Sequence, residues 1–510
     1  MMAMNENHSK ICIIGAGVSG IAAAKQLSHH NPIVFEATDS IGGVWSHCSY
    51  NSTKLQSNRR GYEFTDFHWP QRDNPEFPTH LQILSYLHSY AQHFDLIKNI
   101  RFNSKVVEIN FIGHQPSSTM LPGHPVWRVA VKATHSDTIQ WYEFELVVVC
   151  IGKYGDIAEI PEYPSKKGHE VFKGKVLHTL DYCKLDHEAA TQLLKGNKVV
   201  IVGSKKSALD LAMESAQANQ GPNGQPCTML VRSSHWTVPH YWVWGLPLSL
   251  FYSTRSSQFI HERPGQGLLK TLLCLMLSPL RRGVSKFIES YILWKLPLEK
   301  YGLKPEHSFE EDYASCQMAI MPENFFSEVE KGKIVFKKVS KWWFWNGGIE
   351  FEDNSKLEAD VVVLATGFDG KKKLKAIMPE PFGSLLEYPT GIMPLYRGTI
   401  HPLIPNMAFV GYVESLSNLH SSELRSVWLA GLVDEKFKLP SVESMLSQTL
   451  KEIEVMKRST RFYKRHCIST YSINHGDEIC KDLGWSSWRK KTWISEAFGA
   501  YSSEDFEKED

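Results

Sequence analysis

A glycine-rich turn between a short apolar run and a helical pattern is the feature that most constrains this chain of 510 residues. Residues 10–20 read Lys-Ile-Cys-Ile-Ile-Gly-Ala-Gly-Val-Ser-Gly, and an apolar helical pattern continues over residues 21–27. A short apolar run that is rich in β-branched residues and bounded by a turn predicts a buried parallel strand. Strand, glycine turn and helix together predict the start of a βαβ unit.

The three glycines of this turn have separate predicted roles. Gly15 permits the tight turn, Gly17 lets a pyrophosphate approach the backbone, and Gly20 allows the helix to pack closely on the strand. The N-terminus of the helix then offers unpaired N–H groups to the phosphates. The predicted cofactor-binding residues of this turn are Gly15, Ala16, Gly17, Val18, Ser19 and Gly20.

Two further features downstream of this turn point to FAD. Glu36 ends the next apolar run, where an acid accepts hydrogen bonds from ribose hydroxyls. A second glycine pair follows at residues 42–43 and would bring another backbone segment to the same pyrophosphate. This combination is typical of FAD, so we predict an FAD site completed by Gly43, Val44 and Trp45. The alternative for the second pair is a surface loop that happens to contain two glycines.

The strand–turn–helix pattern recurs at residues 198–208, with one departure. Lys205 stands where the middle glycine is expected, and a lysine side chain must either point away from the phosphates or bind them by charge. The predicted residues of this second site are Gly203, Ser204, Lys205, Lys206, Ser207 and Ala208. Arg232 ends the following strand, and an arginine there accommodates a 2′-phosphate, so NADPH is the predicted second cofactor. A solvated charge at the strand end is the alternative for Arg232.

Two such units in one chain predict an α/β fold with two Rossmann-like dinucleotide-binding domains, the NADPH domain being inserted into the FAD domain. Buried strands are predicted within residues 146–152 and 360–368, with a β-hairpin that turns at Asn346 and Gly347. The predicted boundaries are 1–195 for the first part of the FAD domain, 196–340 for the NADPH domain, and 341–510 for the second FAD part and C-terminal region. Residues 245–305 are predicted to be an irregular insertion.

Charge and cysteine content exclude several classes of protein. Lysine and arginine total 56 and aspartate and glutamate 55, which gives no support to a nucleic-acid partner. The nine cysteines form no CxxC pair. This argues against a disulfide framework or a zinc site, so no metal is predicted and a reducing compartment is favoured.

The distribution of apolar residues along the chain indicates where in the cell the protein is expected. No run of about 18 apolar residues occurs, so we expect no transmembrane segment. The first residues lack the apolar region of a secretory signal. Together these patterns favour a cytoplasmic location, with peripheral contact to the endoplasmic reticulum left open. The leucine-rich stretch at residues 272–280 is interpreted as a buried or lid segment, the alternative being contact with a membrane surface.

Residues 172–182 fit the pattern F-x-G-x-x-x-H-x-x-x-Y, and with this motif the chain resembles the flavin-containing monooxygenase family. The resemblance covers nearly the whole chain, including residues 15–20, 42–45, 203–208 and 364–368. It implies that NADPH reduces FAD, that the reduced flavin activates O₂, and that one oxygen atom passes to a nucleophilic nitrogen or sulfur of a small molecule. No oligomeric state is implied.

Two long blocks, residues 295–320 and 391–412, resemble plant members of the family that N-hydroxylate pipecolate in systemic acquired resistance. This implies N-hydroxylation of a small amine. S-oxygenation of a thioether and a weakly active FAD-binding paralogue remain alternatives, as do Baeyer–Villiger oxygenation and oxidative decarboxylation within the flavin class. A disulfide reductase would need a redox-active cysteine pair near the flavin, and no such spacing occurs.

The resemblance also implies a catalytic amide. Animal-type members place an asparagine near the flavin in a segment that matches residues 54–58. Gln56 occupies the aligned position and Asn58 is offset by two, so both are candidates to donate a hydrogen bond to the flavin or to NADP⁺. A loop amide that is satisfied locally is the alternative for each.

Overall fold

The structure is a computed structural model that describes residues 9–113, 119–134, 136–221 and 224–507. Its first module is a five-stranded parallel sheet with the order β20-β7-β1-β2-β3, followed by a three-stranded antiparallel sheet β4-β5-β6. The strands of this module up to the crossover are β1 (Ile11–Ile14), β2 (Ile33–Phe35), β3 (Ile100–Arg101), β4 (Ser104–Phe111), β5 (Trp127–Ala133), β6 (Ile139–Phe144) and β7 (Leu146–Val149).

The second module is another five-stranded parallel sheet, with the order β15-β10-β9-β19-β8. After it the chain returns to the first sheet as β20 (Met407–Phe409). The strands between are β8 (Lys175–His178), β9 (Val199–Val202), β10 (Cys227–Val231), β11 (Thr237–Val238), β12 (Trp242–Val243), β13 (Leu246–Pro247), β14 (Ala319–Ile320), β15 (Ile334–Lys338), β16 (Trp342–Trp345), β17 (Gly348–Phe351), β18 (Lys356–Glu358) and β19 (Val361–Leu364).

Helices cover both sheets and fill the connections between strands. In chain order they are α1 (Val18–Gln26), α2 (Val44–His47), α3 (His80–His93), α4 (Thr179–Tyr182), α5 (His187–Leu194), α6 (Lys206–Ala218), α7 (Ser249–Tyr252), α8 (Arg255–Phe259), α9 (Leu268–Met276), α10 (Ser278–Lys295), α11 (Phe309–Ala314), α12 (Phe325–Glu330), α13 (Gly370–Lys375), α14 (Phe382–Leu385), α15 (Asn418–Val433), α16 (Val442–Ser459), α17 (Ser472–Asp482) and α18 (Trp493–Phe498).

The sheet order confirms the predicted α/β fold, in which one dinucleotide-binding module is inserted into the other. Strands β1, β7, β9 and β19 are buried along their whole length, as β-branched runs in a parallel sheet must be. The two predicted strand–turn–helix units are β1–α1 and β9–α6, and the predicted hairpin is β16–β17. The second sheet also draws β8 and β19 from outside residues 196–340, so it is wider than the sequence predicted.

The segment predicted to be irregular, residues 245–305, instead contains the four helices α7–α10. Pro264 and Gly265 break the chain between α8 and α9, which is why the segment has no continuous helical period. Pro279 does not end a helix here. It lies in the first turn of α10, where a missing N–H group costs nothing.

One disulfide joins the two modules, so the expectation of unpaired cysteines is wrong for this pair. Cys316 follows α11 in the inserted module and bonds to Cys467 after α16, at a sequence separation of 151 residues. Hydrogen bonds reinforce the contact, since Ser469 Oγ donates to the carbonyl of Tyr313 at 2.6 Å. Sequence spacing did not reveal the pair because tertiary packing alone brings these segments together.

We expect the disulfide to stabilise the docking of the two modules. Replacing Cys316 and Cys467 with serine removes the cross-link and should reduce stability by about 2–4 kcal/mol. Thermal unfolding followed by circular dichroism measures the loss, and a reductant should lower the wild-type midpoint to that of the variant. Cys183→Ser, at an unpaired cysteine, is the control. A wild-type unfolding midpoint that is unchanged by the reductant would contradict the expectation.

Candidate functional site

Only glycine fits at two positions of the first glycine turn, Gly15 because of its backbone conformation and limited space, and Gly20 because of limited space alone. Gly15 has φ of +98°, and a Cβ atom there would lie 2.8 Å from the carbonyl oxygen of Cys150. A Cβ atom at Gly20 would lie 1.8 Å from the carbonyl oxygen of Gly15. These contacts fit the roles predicted from the sequence, a tight turn at Gly15 and close helix packing at Gly20.

Gly17 and Gly43 face each other beside the N-terminus of α1. A Cβ atom on Gly43 would lie 3.1 Å from Cα of Gly17, and Gly43 has φ of +56°. Gly17 begins α1 without a side-chain cap, so the first N–H groups of the helix have no side-chain acceptor there. The two bare glycines and the uncapped helix end fit a pyrophosphate group.

Neighbouring side chains hold the first glycine turn and Gly43 in place. Ser19 Oγ lies 3.0 Å from Oγ of Ser422 on α15. Trp45, on α2, donates from its indole to the hydroxyl of Tyr62 at 2.9 Å. Val44, the neighbour of Trp45, is exposed. The N–H of Gly42 donates to the carbonyl of Ala16 at 3.0 Å. The structure therefore brings the first glycine turn, the second glycine pair at residues 42–43 and the start of α2 together.

Glu36 lies buried at the end of β2 and contacts the glycine turn directly. Its Oε2 accepts a hydrogen bond from the backbone N–H of Ala16 at 2.6 Å. Its Oε1 accepts from both the backbone and the hydroxyl of Thr38, at 2.9 and 2.8 Å. The carboxylate therefore supports the turn, and its contact with ribose stays a prediction.

The second glycine turn follows β9 and repeats the arrangement. Gly203 has φ of +145°, and a Cβ atom there would lie 2.6 Å from the carbonyl oxygen of Ala365. Ser204 Oγ donates to the carbonyl of Ser233 at 2.7 Å, which ties this turn to the end of the next strand. Ala208 is buried in the first turn of α6, and Lys206 forms an ion pair with Asp210 along the same helix.

Lys205 directly precedes α6, and its side chain lies at the junction between the modules. Its ammonium group donates a hydrogen bond to Oε1 of Gln317, next to the disulfide. Burial of the ammonium group, followed by the nearby charge of Arg465, lowers the pKa of Lys205 to about 8. The side chain provides no cap for α6, so this helix also begins with uncapped N–H groups.

Arg232 directly follows β10 and lies beside the second turn, because β10 is the neighbour of β9 in the sheet. Its side chain is exposed. It forms no hydrogen bond or ion pair with any residue that the structure describes. A guanidinium group in this place is available to an incoming phosphate.

The two candidate catalytic amides differ in their surroundings. Gln56 lies between the modules, where its Oε1 accepts from the backbone N–H of Ile320 at 3.0 Å. Asn58 is exposed and caps a short 3₁₀ turn, with its Oδ1 accepting from the N–H of Gly61 at 2.9 Å. The alternative of a locally satisfied loop amide therefore fits Asn58 better than Gln56.

A turn of the first module, at residues 50–53, contacts the second module near the second glycine turn. Tyr50 donates from its hydroxyl to the carbonyl of Ser207 at 3.4 Å, and the N–H of Ser52 donates to Glu214 at 2.8 Å. Both acceptors belong to α6. The start of α6 therefore lies where the two modules meet.

A buried polar cluster at this junction was not predicted from the sequence. Glu414, after β20, accepts hydrogen bonds from Tyr154 at 2.8 Å, Lys153 at 3.2 Å and Arg465 at 2.8 Å. Burial alone would raise the pKa of Glu414, but Lys153 and Arg465 outweigh it and hold that pKa below its ordinary value. Burial lowers the pKa of Lys153.

Part of this cluster could have been predicted from the sequence. Lys153 and Tyr154 follow the β7 run, and Glu414 follows the β20 run. The carboxyl ends of parallel strands meet at one edge of a sheet, so these side chains are expected to lie near each other. Arg465 ends a 3₁₀ turn after α16 and has no such signal.

We expect the space at Gly17 to be needed by the cofactor and not by the fold. An alanine Cβ at this position would lie 3.7 Å from its nearest neighbour, Gly43 Cα, which is ordinary contact. Gly17→Ala should therefore give a protein with wild-type circular dichroism that loses most of its FAD, measured by flavin absorbance per chain. The control is Gly267→Ala at the start of α9, where nothing lies near. Wild-type FAD affinity in Gly17→Ala would contradict the assignment.

Comparison with known proteins agrees with this geometry. Residues 8–487 match the family described as FMO-like, flavin-binding monooxygenase-like. The chain is 65% identical over 517 residues to probable flavin-containing monooxygenase 1 of Arabidopsis thaliana, with 98% of each chain covered.

Solved structures share the fold. The OTEMO complex with FAD and NADP has a TM-score of 0.65 at 17% identity, over 90% of this chain and 93% of that one. S-allyl-L-cysteine S-oxygenase from Allium sativum has a TM-score of 0.56 at 19% identity, over 93% of this chain and 88% of that one. No helix among the described residues is long and apolar enough to span a membrane.

The predicted cofactors, FAD and NADPH, agree with the matched family and with the nucleotides held in the OTEMO complex. The family match also favours a monooxygenase over the disulfide reductase alternative. Because that match covers most of the chain and the Arabidopsis relative is similar along almost its entire length, the chain belongs to the flavin-binding monooxygenase-like family.

Proposed function

We propose that this flavin monooxygenase uses NADPH and O₂ to hydroxylate the nitrogen of a small amine that carries a carboxylate, with pipecolate as the first candidate. The role proposed with it is in plant defence, through systemic acquired resistance, and rests on the resemblance of residues 295–320 and 391–412 to plant members of the family. In the cell we propose a cytoplasmic enzyme that contacts the endoplasmic reticulum peripherally. S-oxygenation of a thioether is the competing reaction, and the Allium neighbour is named for such a reaction.

The cofactors' positions follow from the two glycine turns. FAD would be held at residues 15–20, by Glu36 and at residues 43–45, while NADPH would be held at residues 203–208 and by Arg232. When bound, these cofactors supply the hydride transfer and the activation of O₂. The chain's own contribution is to bind both nucleotides at one junction and to keep water from the reacting atoms.

The observation that carries the proposal is the excess of positive charge at the junction. Four cations, Lys153, Arg465, Lys205 and Arg232, lie near two acids, Glu414 and Asp312, and both arginines are close enough to Lys205 to lower its pKa. Cations there would attract a substrate carboxylate. They would also disfavour the protonated form of a bound amine, because like charges lower the pKa of an ammonium group.

This second effect distinguishes an amine from a thioether. Only a nitrogen with a free lone pair can be oxygenated, and a free secondary amine has a pKa comparable with the ~10.4 of a lysine side chain. A site that favours the neutral amine therefore assists N-hydroxylation, whereas a thioether has no proton to lose. We propose Gln56 as the amide that contacts the cofactors, because its carbonyl is held by Ile320 and its NH₂ group remains able to donate. Asn58 is the alternative donor.

We expect Arg232 to distinguish NADPH from NADH. Arg232→Ala removes a charge-assisted contact to the 2′-phosphate, worth roughly 1.5–3 kcal/mol, and should raise the KM for NADPH by about one to two decades. The KM for NADH should barely change. Lys338→Ala is the matched control, because Lys338 is an exposed cation at the end of the adjacent strand β15. Equal losses for both nucleotides would show that Arg232 does not contact the 2′-phosphate.

The reaction is tested by substrate-stimulated NADPH oxidation with product mass. Pipecolate should accelerate NADPH consumption and gain one oxygen atom, and kcat/KM should rise with pH across the neutral range as more of the amine is neutral. Piperidine, which lacks the carboxylate, should have a higher KM. If pipecolate is inert while a thioether is oxygenated, the S-oxygenase alternative is correct. FAD-loaded protein that consumes no NADPH with any substrate would indicate the weakly active paralogue.

A further inference from the structure

Exposed apolar side chains concentrate in one part of the inserted module. Half of the exposed large apolar side chains in the described part of the chain lie between residues 242 and 294. This segment is a hairpin, β12–β13, followed by helices α7–α10. Monomeric proteins rarely leave a contiguous apolar surface of this kind open to water.

Helix α9 is the centre of this surface. Leu268, Leu269, Leu275 and Met276 are 83, 86, 69 and 77% exposed. On the opposite side of the helix, Cys274 is buried, with its sulfur 3.5 Å from the carbonyl of His261. The helix is therefore anchored by one narrow side and turns its leucine-rich side outward, so the interpretation of residues 272–280 as a buried segment is wrong.

The apolar surface continues along α10 and onto the hairpin. Leu280, Phe287 and Trp294 are exposed at seven-residue intervals, which places them in one row along the helix. Trp294 stacks on Trp244 of the hairpin, with ring centroids 4.9 Å apart. We call this combined surface the insertion face: the exposed side of α9, the row on α10, and Trp244.

Positive charge borders the insertion face. Between Glu262 and Glu289 the sequence has no acidic residue. The same stretch contains five cations, Arg263, Lys270, Arg281, Arg282 and Lys286. Arg282 and Lys286 are exposed at the start of α10, next to α9.

We propose that the insertion face binds the surface of a lipid bilayer that contains anionic lipids. A short leucine-rich helix would lie in the plane of the interface, with its apolar side among the acyl chains and the cations against the headgroups. Exposed tryptophans at the rim suit the same depth, because their amphipathic rings favour the membrane–water interface. The proposal deepens the peripheral membrane contact proposed above and does not depend on the substrate.

Two features favour a bilayer over a second copy or another protein. The exposed side of α9 carries no group that could form a hydrogen bond, whereas protein interfaces combine apolar contacts with polar ones. The exposed bordering charge is positive, because the acids that pair with Lys286 and Arg281 are Glu289 and Glu310, whose side chains are only 5 and 20% exposed. The insertion face itself offers no acid to pair with the cations of a second copy. A bilayer with anionic headgroups and apolar acyl chains fits both features.

Vesicle flotation with the FAD-loaded full-length protein tests the proposal. The protein should float with vesicles of phosphatidylcholine and phosphatidylserine, and added salt should weaken its binding to them. Leu269→Asp/Met276→Asp should reduce binding at least tenfold. Arg282→Gln/Lys286→Gln should reduce binding to the anionic vesicles about tenfold and leave binding to pure phosphatidylcholine unchanged.

The control variant is Leu81→Asp/Ile160→Asp, which adds the same charges at exposed apolar positions outside the insertion. It should float as the wild type does, and flavin absorbance reports whether each variant is folded. Wild-type protein that stays unbound, or flotation unchanged by Leu269→Asp/Met276→Asp, would overturn the proposal. A wild-type dimer in light scattering that this variant converts to a monomer, with no flotation, would assign the face to a second copy instead.

Discussion

The structure depends on two helices that begin without a side-chain cap. Gly17 begins α1 and Lys205 begins α6, and neither provides an acceptor for the first N–H groups. Helices α3, α5, α15 and α16 are each capped by a hydroxyl or carboxylate oxygen, whereas α9, α10 and α17 also begin without a cap. What sets α1 and α6 apart is that each uncapped start directly follows a buried parallel strand and a glycine turn. Uncapped N–H groups need another partner, and a phosphate both accepts their hydrogen bonds and meets the positive end of the helix dipole.

Insertion of one module into the other brings the elements around these helices together. The segment that leaves the first sheet after β7 pairs with the segment that returns after β19, since the N–H of Glu159 donates to the carbonyl of Gly367 and the N–H of Asp369 to that of Ile157, both at 3.0 Å, so both crossings of the chain occur at one junction. There Tyr50 contacts the second turn, Gln56 contacts β14, and the Cys316–Cys467 bond joins α11 to the segment after α16. A chain with this geometry can position a nicotinamide against a flavin and leave the difficult chemistry to the cofactors.

Local patterns predicted the strands, both glycine turns and the insertion, because each depends on residues that are adjacent in sequence. The junction cluster of Glu414 and Arg465 and the disulfide depend on segments that only the fold brings together. Helices α9 and α10 were missed for another reason. Pattern analysis assumes that apolar residues face a core, and on α9 the leucines face outward. The departure at Lys205 was visible in the sequence, but its partner Gln317 was not.

The proposed function requires the two glycine turns to bring NADPH to a bound flavin across one junction. Anaerobic mixing of the purified, FAD-loaded protein with NADPH in a stopped-flow spectrophotometer tests this transfer. We expect the oxidised flavin absorbance to bleach, the rate to saturate with NADPH, and deuterium at the transferred position of the nicotinamide to slow the reaction. A yellow protein that binds FAD and stays oxidised under NADPH would rule out hydride transfer between the two sites.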